Sequence, residues 1–215
     1  MHIAVLGASR NTGKAVVEQA LERGIRVTIL ARSPARLTFS DEQRARLDVV
    51  EGDATVKADV ARAIAGADVV VFSLGAKVGL GGTADMGVES AAAPLLLEAI
   101  RESRDRGSWP RIVMVSSTGV DSMRDVPLVL RPLYALLLRT PHRHKAAAEA
   151  AIRASGVPYT LVRPALLTHG PRTAKYRAGP DVAGYTVSRS DVAHFVLEQC
   201  VEADKWPNGA VAIAY

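Results

Sequence analysis

Cysteine is almost missing from this chain: its 215 residues include one, Cys200. No disulfide framework can form, so a reducing compartment, the cytoplasm, is expected. Aromatics are scarce at 5%. Ala, Val, Leu and Ile must fill the interior, as they do in parallel sheets covered on both faces. Long apolar runs are missing as well. The longest, Val126 to Leu138, is broken by Arg131 and Pro132. It falls short of the ~20 residues a spanning helix needs, and no membrane partner is expected. No charged leader with an apolar core and cleavage site precedes the first predicted strand. Runs of five like charges do not occur, because 27 Lys and Arg are mixed with 22 Asp and Glu. The net charge of +5 therefore reads as a solvated basic surface whose field favours anionic ligands. It does not read as a nucleic-acid footprint.

What is present is an alternation. Short apolar runs at His2–Leu6, Ile25–Ala31, Leu47–Glu51, Ala67–Ser73, Arg111–Ser116, Tyr159–Arg163 and Ala210–Ala214 read as strands. Helical spacing appears at Asn11–Arg23, Val56–Ala65, Asp85–Arg106 and Asp191–Glu202, the last with Ser190 as its N-cap. Strands separated by such helices imply βαβ crossovers and a parallel sheet. The expected architecture is one Rossmann-type, doubly wound α/β domain over residues 1–215, with helices on both faces. The segments 75–84, 118–140 and 166–184 resist assignment, and each follows a predicted strand. Ligands of open α/β sheets lie beyond the carboxyl ends of the strands, so a small substrate region is expected at about 165–190.

The sharpest signal is Gly7-Ala8-Ser9-Arg10-Asn11-Thr12-Gly13, between the first strand and the first helix. Gly7 permits a tight turn and Gly13 a close helix–sheet approach. The backbone N–H groups at the helix start then face a pyrophosphate. Arg10 stands where the pattern has its middle glycine. No acid occurs between Gly24 and Asp41, so the carboxylate that NAD-specific sites offer to the ribose 2′-hydroxyl is missing. Arg32 and Arg36 stand there instead and suit a 2′-phosphate. NADPH is therefore the expected cofactor. Asp53, in Glu51-Gly52-Asp53-Ala54, is placed either to accept from an adenine amino group or to cap the following helix.

These residues resemble the atypical short-chain dehydrogenases/reductases, the NmrA-like NAD(P)H-binding group, and within it the biliverdin reductase B/flavin reductase type. The resemblance covers nearly the whole chain. It continues through Ser73-Leu74-Gly75-Ala76, Val115-Ser116-Ser117, Ser155-Gly156-Val157-Pro158-Tyr159-Thr160, Val162-Arg163-Pro164 and Ser188-Arg189-Ser190-Asp191-Val192-Ala193. It implies that Gly7, Ser9, Arg10, Asn11, Thr12 and Gly13 hold the pyrophosphate. Arg32 and Arg36 hold the 2′-phosphate, and Asp53 and Ala54 the adenine. Leu74, Gly75 and Ala76 line the path to the nicotinamide, with Ser116, Ser117 and Pro164 around its ring. Lys145 bonds the nicotinamide ribose, and Glu149 completes a Lys-x-x-x-Glu pattern.

Conventional members use Tyr-x-x-x-Lys, but the residue four before Lys145 is Pro141. Ketone reduction with tyrosine as the acid is then doubtful. Tyr134 and Tyr159 are the nearest alternatives. A flavin, quinone or linear tetrapyrrole needs less, since it delocalises the incoming charge and takes its proton from water. Ser117 and Lys145 are the candidate catalytic residues, Ser117 alternatively capping a turn. His142, His144 and His169 are weaker proton-donor candidates, and no spacing suggests a metal. His2 and His194 read as structural. Leu128, Leu130, Leu133, Leu136 and Leu137 make residues 126–138 too apolar for a solvent-facing helix. That segment is read as a core helix, a wall of the substrate pocket or a subunit contact. The expected function is an NADPH-dependent reductase of a planar conjugated small-molecule acceptor, as a monomer or homodimer. The alternatives are a non-catalytic NADP(H) sensor and a specialised ketoreductase or isomerase.

Overall fold

The computed structural model describes residues 1–75, 87–103 and 109–215, apart from the side chains of Leu133 and Leu137. Its central strands are continuous apolar runs. They are β1 (His2–Leu6), β2 (Arg26–Ala31), β4 (Val69–Phe72), β5 (Arg111–Val115), β6 (Tyr159–Pro164) and β10 (Gly209–Ala214). The outer strands are β3 (Leu47–Glu51), which is mostly solvent-accessible, and β8 (Arg177–Gly179). The eight form one sheet in the order β3-β2-β1-β4-β5-β6-β10-β8. Every pairing is parallel except β10 with β8. A separate parallel pair joins β7 (Leu166–Thr168) to β9 (Thr186–Ser188).

Period-two alternation divides the interior into two cores. Ile3 and Val5 of β1 point to one face, with Val16, Val17 and Ala20 of α1 (Asn11–Glu22) and Val192 and Phe195 of α7 (Arg189–Phe195). Ala4 and Leu6 point to the other face. They meet Val60 of α3 (Lys57–Ala63), Leu96 of α4 (Val88–Glu102) and Ile152 of α6 (Arg139–Arg153). Burial of each such side chain contributes about 1.5–3 kcal/mol. Helices thus cover both faces, as the alternation predicts.

Three differences from the sequence reading have local causes. The last helix begins at Arg189, because the Ser188 side chain, not that of Ser190, accepts from Asp191 N at 3.0 Å. It continues as a wider π-helical stretch over Val196–Glu202. Residues 118–140 are not wholly irregular: a 3-10 turn, Leu128–Leu130, leads into α5 (Arg131–Leu137). Residues 166–184 carry β7 and β8, which are three residues each and too short for periodicity to reveal. A further small helix, α2 (Asp41–Ala45), is closed by a capping box from Ser40 and Gln43. The ends of the expected helix 85–106 lie outside the described residues.

Candidate cofactor and acceptor site

Parallel pairing brings the carboxyl ends of β1 to β6 to one edge of the sheet, and the described residues predicted at the strand ends lie there. At the β1–α1 turn, Gly7 has φ +95°. A Cβ on it would lie 2.4 Å from the Ser73 carbonyl oxygen, and one on Gly13 would lie 2.2 Å from that of Gly7. Neither position tolerates a side chain, so the helix start is pressed against the ends of β1 and β4. Asn11 begins α1 at φ +55°, the left-handed region that asparagine enters more readily than most residues. Arg10 is extended (φ −158°, ψ 167°) with its side chain exposed. Any residue adopts that backbone, so replacing the middle glycine does not distort the turn. Ser9 is exposed and Thr12 buried. This cradle fits the pyrophosphate of a dinucleotide: its tight approaches are what the glycine pattern exists to allow.

Arg32 follows β2, and Arg36 ends a 3-10 turn opened by Pro34; both are exposed. Asp53 does not cap α3, whose N-cap is Val56. Asp53 Oδ1 accepts from Thr55 N at 2.8 Å and Thr55 Oγ1 at 2.7 Å, which organises the entry to α3. Beside it, the Asp53 N–H donates to Asp59 Oδ2 at 2.9 Å. That bond is the chief reason the half-buried Asp59 carboxyl lies below its usual value, with Arg62 assisting. Ala54 is buried. Leu74 is half-buried and Gly75 exposed after β4, and Ala76 lies outside the described residues.

The ends of β5 and β6 lie side by side. Ser116 N donates to Val162 O at 2.7 Å and Thr118 N to Pro164 O at 3.0 Å. The buried Ser116 Oγ has no hydrogen-bond partner among the described residues. Ser117 is half-buried and donates to Thr118 O at 3.3 Å, a long contact that a better acceptor would displace. Gly119 N donates to Asp125 Oδ1 at 2.9 Å, and burial pushes that carboxyl up. His142 also lies against Gly119, with its ring tilted on Tyr134 at 6.0 Å. Its Nε2 is buried without a partner among the described residues. Burial, then nearby Lys145, lowers its pKa and favours neutral imidazole.

The Lys145 ammonium lies 3.3 Å from Oε1 of Glu89, a residue 3% exposed in the first turn of α4. That same oxygen lies 3.9 Å from where a Cβ on Gly75 would stand. The Lys-x-x-x-Glu pattern does not close: Glu149 instead takes the guanidinium of Arg163 through both carboxylate oxygens. A buried planar fork on β6 outcompetes a flexible ammonium for a buried carboxylate. Sequence reasoning missed Glu89, Asp125 and Arg163. Arg163 left a usable sign, because a charge inside an apolar strand demands a buried partner.

The remaining histidines have varied surroundings. His144 Nδ1 is 3.0 Å from Ser90 Oγ and locks α6 to α4. His169 lines a cleft of ≈ 220 Å³ with Asn11, Lys14, Glu18 and Arg189, on the α1 side of the sheet. His2 and His194 are structural, His2 bridging Gly66 O and Thr28 Oγ1 and His194 meeting Tyr176 and Glu198. In the Ser188–Ala193 stretch, Asp191 is fully buried. It accepts from Thr173 N, Thr173 Oγ1, Ala174 N and Tyr215 OH at 2.7–2.8 Å. The motif that distinguishes the resemblance therefore pins the 171–174 loop.

A family model described as NAD(P)H-binding matches residues 7–203. The chain belongs to this NAD(P)H-binding family. The reductase pytE of Aspergillus terreus is 31% identical, the match covering 99% of this chain and 97% of that one. Among solved structures, a short-chain dehydrogenase/reductase of Veillonella parvula in complex with NADP superposes with a TM-score of 0.81 at 19% identity. It covers 100% of this chain and 94% of that one. The anaerobillin reductase ChuY of Escherichia coli gives a TM-score of 0.73 at 23% identity, covering 100% and 97%. The expected NAD(P)H-binding family and the Rossmann-type fold both hold.

Proposed function

We propose that the protein is an NADPH-dependent reductase that delivers hydride to a planar conjugated acceptor such as a flavin, quinone or linear tetrapyrrole. One observation carries the reading. The family's dinucleotide cradle is intact, whereas the position of the conventional acid is Pro141 and the Lys145 ammonium is tied to Glu89. A chain built this way can hold the cofactor but lacks, four residues before Lys145, the tyrosine with which conventional members protonate a simple ketone. The coarser part, an NAD(P)H-linked oxidoreductase, follows from the family and the reductase relative. The finer part draws support from the tetrapyrrole-type substrate named for one structural neighbour and the NADP bound by another.

The reduced nicotinamide supplies the hydride. The chain's contribution is position and electrostatics. Gly7 and Gly13 bring the helix start close to the phosphates, and Arg32 and Arg36 select the 2′-phosphate. Lys145, oriented by Glu89, bonds the ribose, and Ser116 Oγ offers an uncommitted hydroxyl beneath the ring. Ser117 turns from Thr118 O toward the acceptor or a water that supplies the one proton accompanying the hydride. The segment 165–190 closes the acceptor side. Purified protein is to be supplied with NADPH and FMN, a quinone or biliverdin in turn, and the loss of reduced-nicotinamide absorbance followed. Steady turnover with one acceptor, reduced in Ser117→Ala, supports the proposal; no turnover with any conjugated acceptor contradicts it. The absence of a tyrosine at position 141 also favours a second reading, an NADP(H) sensor. Tight NADPH binding without turnover would select it.

A further inference from the structure

We propose that residues 126–143 form a docking surface for an anionic lipid bilayer. Three large aliphatic side chains stand in water within nine residues: Leu128 is 77% exposed, Val129 71% and Leu136 79%. They are not the loose side of a frayed segment. On the inner side Val126 and Tyr134 are buried, each within 3.1 Å of where a Gly119 Cβ would stand. Arg131 Nε ties the turn to Val126 O at 3.3 Å. The fold therefore holds the apolar face outward.

Charge decides the occupant. From Val126 to Ala148 there is no Asp or Glu, while Arg131, Arg139, Arg143 and Lys145 fall inside that stretch and Arg124 just before it. Lys145 is engaged with Glu89, but the side chains of Arg124, Arg139 and Arg143 are exposed. A symmetric second copy would set this patch against itself and oppose arginine to arginine. An anionic bilayer offers both complements at once, an acyl boundary for the leucines and phosphate groups for the guanidiniums. Among the described residues no helix is long and apolar enough to cross a membrane, so the contact is peripheral. The expectation that no membrane takes part rested on span length, which does not bear on peripheral docking.

Val126 and Tyr134 connect this face to the loop that carries Ser117. Docking would thus place the acceptor site at the bilayer surface, within reach of an apolar conjugated acceptor dissolved in lipid. That last step rests on the proposed reductase function; the docking itself does not.

The full chain is to be sedimented with vesicles of phosphatidylcholine alone and of phosphatidylcholine mixed equally with phosphatidylglycerol, at low and high salt. The proposal expects pelleting with the anionic vesicles only, weakened by salt. The double variants L128S/L136S and R139Q/R143Q are each expected to reduce partitioning by roughly tenfold or more. NADPH titration of both variants checks that they remain folded, and it needs no acceptor, so failure here is separable from failure of the reductase reading. Wild-type protein that stays in the supernatant with anionic vesicles at low salt would overturn the proposal. Partitioning that L128S/L136S leaves unchanged would reduce it to surface electrostatics and overturn it too. A dimer that L128S/L136S dissociates would assign the face to a second copy.

Discussion

Among the described glycines Gly13 carries the strictest demand, since a methyl group there would stand 2.2 Å from the Gly7 carbonyl oxygen. Gly13→Ala must push α1 away from the turn, and NADPH binding is expected to be lost in a direct titration even where the circular dichroism spectrum persists. Under the proposed function, Arg32 and Arg36 set cofactor choice. A charge-assisted bond to phosphate is worth about 1.5–3 kcal/mol. Arg36→Ala is therefore expected to weaken NADPH by roughly tenfold or more, with NADH affinity nearly unchanged. Equal losses for both cofactors would show that Arg36 does not meet the 2′-phosphate. Cys200 is fully buried, and burial pushes its thiol up to about 12. It is expected to resist alkylation in the native protein and to react on unfolding, which mass spectrometry of protein treated with iodoacetamide would show.

At the scale of elements, Asp191 joins the start of α7 to the 171–174 loop and the Tyr215 hydroxyl. Asp191→Ala strands those donors and is expected to cost about 3 kcal/mol in denaturant unfolding. Burial raises the carboxyl's pKa, but the bonds from Tyr215, Thr173 and Ala174 outweigh it and leave the value below 3.8. A carboxyl held low in the folded state stabilises fully above its unfolded pKa, and that stability is lost as pH falls through the folded value. The wild type should therefore lose stability below about pH 4 more steeply than Asp191→Asn. The central strands and α1 were legible because continuous apolar runs and 3.6-residue spacing report burial directly, whereas α6, 15 residues long, was not among the helices that the spacing gave. The boundary at Ser188 was not, since Ser188 and Ser190 are equally plausible caps and the choice depends on Pro171 and Tyr215, far away in sequence. The glycine turn and the arginines after β2 were legible as local chemistry. The Glu89–Lys145 and Glu149–Arg163 pairs were not, because each joins elements that only the folded sheet brings together.

For the whole molecule, the two cores on either side of the sheet fix one edge where the ends of β1 to β6 converge, and the proposed chemistry lies at that edge. The far side of the same edge, beyond Gly119 and Tyr134, carries the exposed aliphatic and basic face. The account's central claim is that the converging edge holds NADPH and passes hydride to a conjugated acceptor. The most direct measurement combines an NADPH and NADH binding titration with NADPH oxidation in the presence of FMN, a quinone or biliverdin, and a simple ketone as control. The account predicts tighter binding of NADPH than NADH, and turnover with a conjugated acceptor but not with the ketone. Failure to bind NADPH, or turnover with the ketone alone, would contradict it.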